Sequence, residues 1–243
     1  MSTVAVLTVV RYRPARALLG AWHMAAQRPL LARVPGLRFA RLLGTGRGIG
    51  FSAVPDFGTW ALFTVWDDAA AWERFDADSR VMRQYRARGE EVYSVVMAPL
   101  SAHGRWGGVE PMLVPDPPER PDPAAPVVVL TRATIRPGRA LRFWSRVAPV
   151  DATLRGHPDL LLSFGVGEAP YFKQATLSVW RNAAAMTAWA YGSPAHAETV
   201  RRTREENWYS EELFARLRLL GTRGSWHGGE PLADALNGSA SVR

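Results

Sequence analysis

Runs of β-branched and apolar residues alternate along this chain with amphipathic stretches, and the whole order of patterns occurs twice. Val4–Val10 and Val127–Ile135 have the apolar density of buried strands. Each is followed by a segment entered at a proline, Pro14 or Pro137, a residue suited to a first helical turn. Apolar residues then recur at helical spacing, as Leu18, Trp22, Ala25 and Ala26 in one copy and Leu141, Trp144 and Val147 in the other. Two strands come next, Leu37–Leu43 with Thr59–Trp66, and Leu160–Val166 with Ala175–Trp180. Alanine-rich helical segments follow, Ala69–Phe75 with Val81–Glu91, and Ala183–Ala190 with Ala195–Asn207. A last strand is expected near Val92–Leu100 and near Leu213–Leu220.

Three blocks match in order. Val4-Ala-Val-Leu-Thr8 lies over Val127-Val-Val-Leu-Thr131, Trp66 over Trp180, and Gly104-Arg-Trp106-Gly-Gly108 over Gly224-Ser-Trp226-His-Gly228. The order strand–helix–strand–strand–helix–strand is that of a ferredoxin-like unit, whose antiparallel sheet carries helices on one face and needs cover on the other. Two such units in one chain can cover each other. The predicted fold is therefore α+β: tandem ferredoxin-like repeats over residues 1–110 and 127–231, forming a pseudo-dimeric α+β barrel. Residues 111–126 are proline-rich and read as a stiff linker, and residues 232–243 as a flexible tail.

Composition narrows the chemistry. The chain has 243 residues, is 47% hydrophobic and 21% charged, and contains no cysteine, which excludes disulfides, thiolate metal sites and a cysteine nucleophile. The apolar runs are too short to span a bilayer and the N-terminus does not read as a signal peptide, so a cytoplasmic location is expected, with at most peripheral membrane contact. The net charge of +8 comes almost wholly from dispersed arginines, Lys173 being the one lysine. With neither zinc-finger spacing nor an aromatic RNA-binding signature, nucleic acid is not an expected partner.

The glycines at 44, 46, 48 and 50 resemble a phosphate cradle, but neither the dinucleotide fingerprint nor the P-loop spacing is met, and the segment reads as a strand-to-strand loop. The five histidines show no two-ligand spacing, and no serine-nucleophile elbow occurs. A site built on one histidine remains, and haem is the cofactor most often held that way. His196, near the start of the last helix of the second copy, is the best candidate, since Met82 occupies the equivalent place in the first. A half-buried helical histidine with a backbone partner is the alternative reading. Trp144, Trp180, Trp189 and Trp208 crowd the second copy, as core or as the lining of an apolar pocket.

The segment Leu130-Thr-Arg-Ala-Thr-Ile-Arg-Pro-Gly-Arg-Ala-Leu-Arg-Phe-Trp144 resembles the spheroidene monooxygenases of carotenoid biosynthesis. So do Leu43-Gly-Thr-Gly46 with Gly50-Phe51, Gly165-Val-Gly-Glu168, Gln174–Trp180, His196–Arg202, the helix ending Trp208–Arg216, and Ser225-Trp226. The resemblance spans residues 4–231. It implies a haem-dependent oxygenase that installs a keto group on an acyclic carotenoid with dioxygen and external electrons, from an electron-donor protein or another source. By the same analogy His196 becomes the iron ligand, with Trp144 and Trp189 beside the cofactor. Such an enzyme needs a polar group at the open iron face; Arg132 is first choice as a permanent cation, and Gln174 second as a neutral donor. Other haem chemistry on the same fold (aldoxime dehydration, peroxide-driven oxidation, nitrogen–nitrogen or nitrogen–oxygen chemistry) and a cofactor-free binding protein are the alternatives, and a homo-oligomer is compatible with all of them.

Overall fold

The computed structural model describes residues 3–48, 50–115 and 122–240; Pro117, Pro118 and Pro121 of the expected linker lie outside them. The first repeat runs β1 (Val4–Arg11), α1 (Ala17–Ala26), a short α2 (Arg28–Leu31), β2 (Leu37–Gly46), β3 (Pro55–Trp66), α3 (Ala69–Asp78), α4 (Arg80–Arg88) and β4 (Glu91–Gly104). The second repeats the order with β5 (Val127–Ile135), α5 (Ala140–Leu154), β6 (Leu160–Ala169), β7 (Lys173–Trp180), α6 (Ala183–Gly192), α7 (Pro194–Glu205) and β8 (Tyr209–Gly224). The eight strands close into one antiparallel barrel in the order β1-β3-β2-β6-β7-β5-β8-β4, so the two sheets do cover each other.

The seams between the halves differ in length. β4 and β8 pair from Tyr93↔Gly224 to Gly104↔Leu213, whereas β2 and β6 pair at Gly44↔Gly167 and Thr45↔Val166. Inside the barrel, Leu7, Val9, Leu43, Phe63, Val95, Val128, Leu130, Val166, Leu177 and Leu217 form the shared apolar core. Alternation along each strand turns the other half of its residues outward, against the helices.

Pseudo-symmetry reaches the ends of the repeats. Beyond β4, Trp106 bridges Val109, and beyond β8, Trp226 bridges Gly229. The Glu211 carboxylate accepts from the amides of Gly107 and Gly108 at 2.9 and 2.6 Å, while Glu91 accepts from His227 and Gly228 at 3.0 and 2.6 Å. Each carboxylate thus pins the other repeat's tryptophan turn. Burial alone would raise the pKa of either acid, but the paired amides, with Arg132 at Glu211 and Arg11 at Glu91, hold both below the ordinary carboxylate value. A pKa depressed on folding contributes stability that is present above the unfolded value, about 4.3, and lost as pH falls through the folded one. Acid titration is therefore expected to leave Trp106 and Trp226 fluorescence steady down to about pH 5 and to change it below about pH 4.

Four expectations need correction. The segment Trp208–Arg216 is not helical: α7 ends at Glu205, Asn207 takes a left-handed turn at φ 51°, and β8 starts at Tyr209 with alternating inward Leu213, Ala215 and Leu217. The tail is anchored: Leu232 is fully buried in the barrel core, Glu230 accepts from Tyr93 Oη at 2.5 Å and from Thr222 Oγ1 at 2.7 Å, and residues Ala233–Ala240 form α8. Met112 plugs the core in the equivalent place after β4, so the proline-rich stretch is packed at its start. The apolar stripes of the first helices match the expected ones only in part: Trp144 and Val147 do pack inward, against Ile135, Phe143 and Trp208. Trp22 is 53% and Leu141 89% exposed, while His23, Gln27 and Phe143 face inward.

Candidate functional site

The two helix–sheet layers differ. In the first repeat, fourteen buried residues among those described, including Val6, Leu42, Leu62, Trp66, Trp72, Phe75, Met82 and Tyr85, make one continuous core between sheet and helices. In the second repeat the equivalent layer is divided into two small clusters. One is Val127, Trp180 and Met186; the other is Ile135, Phe143 and Trp208. Among the described residues α7 buries no side chain completely, whereas its counterpart α4 buries Val81, Met82 and Tyr85.

The strand registers explain the gap. Outward residues of the first sheet form the rows Leu42–Leu62–Thr8 and Gly44–Trp60–Val10. The matching rows of the second are Gly165–Thr176–Thr131 and Gly167–Gln174–Ala133. Two leucines and a tryptophan are replaced by glycine, threonine and glutamine, so the sheet floor in the second repeat is lower and more polar. In the first repeat Trp60 fills the space over Gly20 of α1; the second holds Gln174 and Phe143 at those places. The loop after β2 crosses into this layer. The carbonyl of Gly50 lies where a Cβ on Gly165 would be, and Phe51 meets Phe143 edge-on at 5.5 Å. Asp151 of α5, beside Gly50, bonds Arg155 through one oxygen, and its buried Oδ1 has no partner among the described residues.

His196 stands on this side of the sheet. Ser193 caps α7, Pro194 opens its first turn, and the half-buried imidazole sits 4.6 Å from the Trp189 ring, which lies 5.1 Å from Trp180. Its Nδ1 is 2.8 Å from the carbonyl of Ala190. A carbonyl only accepts, so Nδ1 carries a proton, and in the neutral imidazole the lone pair is on Nε2. Trp189 is further fixed by donation from Nε1 to Thr153 Oγ1 at 3.2 Å. The helix that carries Trp189 begins at Asn182, whose side chain accepts from Ala185 N. Asn182→Ala is expected to cost about 1 kcal/mol, measured by chemical denaturation, by leaving that amide unsatisfied.

The remaining predicted residues separate. Gln174 pairs with Ala133 and shares its outward face; it is almost fully buried, with Nε2 donating to Ala169 O at 3.2 Å. Arg132 pairs with Ala175 and points the other way, into the barrel. There it is 2% exposed, ion-paired to Glu211 and Glu168, and lies over the Trp106 ring. Arg41 meets the same Glu168 at 3.0 Å. The sheet thus stands between Arg132 and His196, and the first choice for an open-face group is a buried structural ion pair instead. Directly opposed residues of paired strands share a face, so the two candidates could not both have faced His196. Trp144 joins the Phe143–Trp208 cluster and donates from Nε1 to Tyr171 O. Above that cluster a cavity of about 290 Å³ opens between α5 and α7, lined by Arg142, Ser145, Arg146, Arg202, Glu206 and Trp208.

An eight-stranded antiparallel barrel of two ferredoxin-like halves defines a dimeric α+β barrel protein. Among solved structures, the chain is similar to aldoxime dehydratase bound to butyraldoxime, with TM-score 0.61 and 11% identity over 97% of this chain and 85% of that one. A second aldoxime dehydratase structure gives TM-score 0.60 at 12% identity, over 89% and 81%. No family model matches the chain. Three curated relatives do, all spheroidene monooxygenases. The spheroidene monooxygenase of Rhodobacter capsulatus is 42% identical over 87% of each chain, and that of Cereibacter sphaeroides is 34% identical over 90% of this chain and 67% of its own. The chain belongs to the spheroidene monooxygenase family, and with it to the monooxygenases. Among the described residues no helix is long and apolar enough to cross a membrane.

Proposed function

We propose that the protein is a haem-dependent monooxygenase acting on an acyclic, carotenoid-like substrate, with the cofactor in the helix–sheet layer of the second repeat. The observation that carries this reading is a half-buried histidine whose Nδ1–H is held by a carbonyl, on the side of the second sheet whose outward residues are smaller and more polar than those of the first. A neutral ring protonated on Nδ1 is the tautomer a haem-ligating histidine needs, oriented from behind as such ligands are. Among the described residues no group of three histidine, aspartate or glutamate side chains could hold a bare metal ion. A macrocycle asks for only one, so the donor set fits haem.

Haem bound there would supply an iron centre at which dioxygen is reduced with electrons from an external donor. The chain's own residues would do the rest. His196 would ligate through Nε2, and the Ala190 carbonyl would keep its ring from turning. Trp180 and Trp189 would wall the apolar side and exclude water. Gln174, on the sheet floor with Thr176 and Ser178, offers the neutral amide donor for the open face, which makes it the better placed of the two polar candidates. Phe51, reaching over from the first repeat, would narrow the substrate's path. Haemin titration of the purified protein tests the cofactor: a saturable one-to-one complex with an intense band near the violet edge is expected, and a protein that stays colourless overturns the reading.

A further inference from the structure

We propose that the end of the barrel formed by the first turn of α5 and the β6–β7 hairpin is a docking surface for an anionic lipid bilayer. Leu141 is 89%, Tyr171 47% and Phe172 40% exposed. They are neighbours. Trp144 lies one turn beyond Leu141 on the same helix face, its ring meets Tyr171 at 6.0 Å and its Nε1 holds the Tyr171 carbonyl. The Phe172 carbonyl accepts from Ile135 N, which sets the hairpin against the chain entering α5.

Tyr171 has φ 67°, a left-handed conformation that glycine or asparagine would adopt with less strain. Keeping a tyrosine at such a hairpin position puts an amphipathic ring outward at a backbone cost, which points to use of the ring. Cations frame the patch: Arg136 and Arg139 at the entry to α5, and Lys173 at the start of β7. Arg142 beside them is paired with Glu206 at 2.7 Å. An aliphatic and aromatic centre ringed by fixed positive charge matches the headgroup boundary of an acidic membrane, where rings settle among the headgroups and guanidiniums meet phosphates. A second copy of the chain would bring the same charges and be repelled. The inference does not depend on haem. It also brings the α5–α7 opening, which shares Arg142, close to lipid.

Cosedimentation of the full chain with vesicles tests this. Phosphatidylglycerol–phosphatidylcholine vesicles are expected to pellet the protein, less so as salt rises, while pure phosphatidylcholine leaves it in the supernatant. Leu141→Ser with Phe172→Ser should weaken binding at least about tenfold, and Arg136→Gln or Arg139→Gln about fivefold each. Trp22→Ser, an exposed tryptophan of the first repeat, should change nothing, and circular dichroism should show every variant folded. No pelleting, equal binding to both vesicles, or binding untouched by the double substitution would overturn the proposal. So would a loss of self-association in the double variant in place of a loss of vesicle binding.

Discussion

His196→Ala is expected to lower haemin affinity more than about a hundredfold while leaving the fold intact. Loss of a group that merely orients a metal-bound histidine costs 10- to 100-fold, so loss of the ligand itself should cost at least the upper figure. The fold should tolerate the change because the side chain is half-buried and its one bond goes to a carbonyl at the α6–α7 junction, while alanine is favourable in a helix. Ser193 continues to cap the helix in the variant. Paired measurements check this: spectrophotometric haemin titration, and thermal unfolding of the apoprotein, which should shift by only a few degrees. Equal affinity in the two proteins would remove His196 from the site, and an unfolded variant would be answered by His196→Gln, which keeps a polar side chain without an imidazole nitrogen.

The second large effect is expected from filling the lowered floor. Gln174→Trp with Thr176→Leu writes the residues of the first repeat, Trp60 and Leu62, into the second. Two large apolar side chains would then occupy the space between sheet and α5 that the account gives to the cofactor. Haemin binding should disappear, while apoprotein stability should fall by no more than the about 1–3 kcal/mol of an overpacked core, because Phe143 stands where the first repeat has Gly20 and must shift for the new tryptophan. Circular dichroism of the apoprotein, unchanged in the variant, separates loss of the site from unfolding. Unimpaired haemin binding in the double variant would place the cofactor elsewhere.

Much of the architecture is legible in the sequence because it rests on patterns that local physics enforces. β-branched runs, prolines at first turns and an ordered internal repeat are enough to give two split units and their mutual covering. The tail and the first residues of β8 escaped because their structure is set by distant partners. Leu232 carries no signal of its own until it reaches the barrel core, and Glu230 is an ordinary acid until Tyr93 and Thr222 meet it. The α5 stripe was right at Trp144 and Val147 and wrong at its start, where Phe143 and not Leu141 faces inward.

The site was half legible. His196 stands out by the asymmetry with Met82, and Trp189 follows it in space. The faces of Arg132 and Gln174 depend on the register between β5 and β7, which no alternation within one strand can supply. The lowered floor was present as a signal, in Leu42 against Gly165, Leu62 against Thr176 and Trp60 against Gln174. It becomes meaningful only once paired strands show that these residues share a row. The crossing of Gly50 and Phe51 into the other repeat had no sequence signal beyond the glycines that permit it.

Incorporation of labelled oxygen tests the central claim most directly. The haemin-loaded protein, given reductant, an acyclic carotenoid and oxygen-18 gas, should yield a keto product that carries the label when extracted promptly, and the His196→Ala protein should yield none. Carotenoid left unchanged, or a product whose oxygen comes only from water, would contradict the account, the more so if the same preparation dehydrated an aldoxime with no uptake of oxygen.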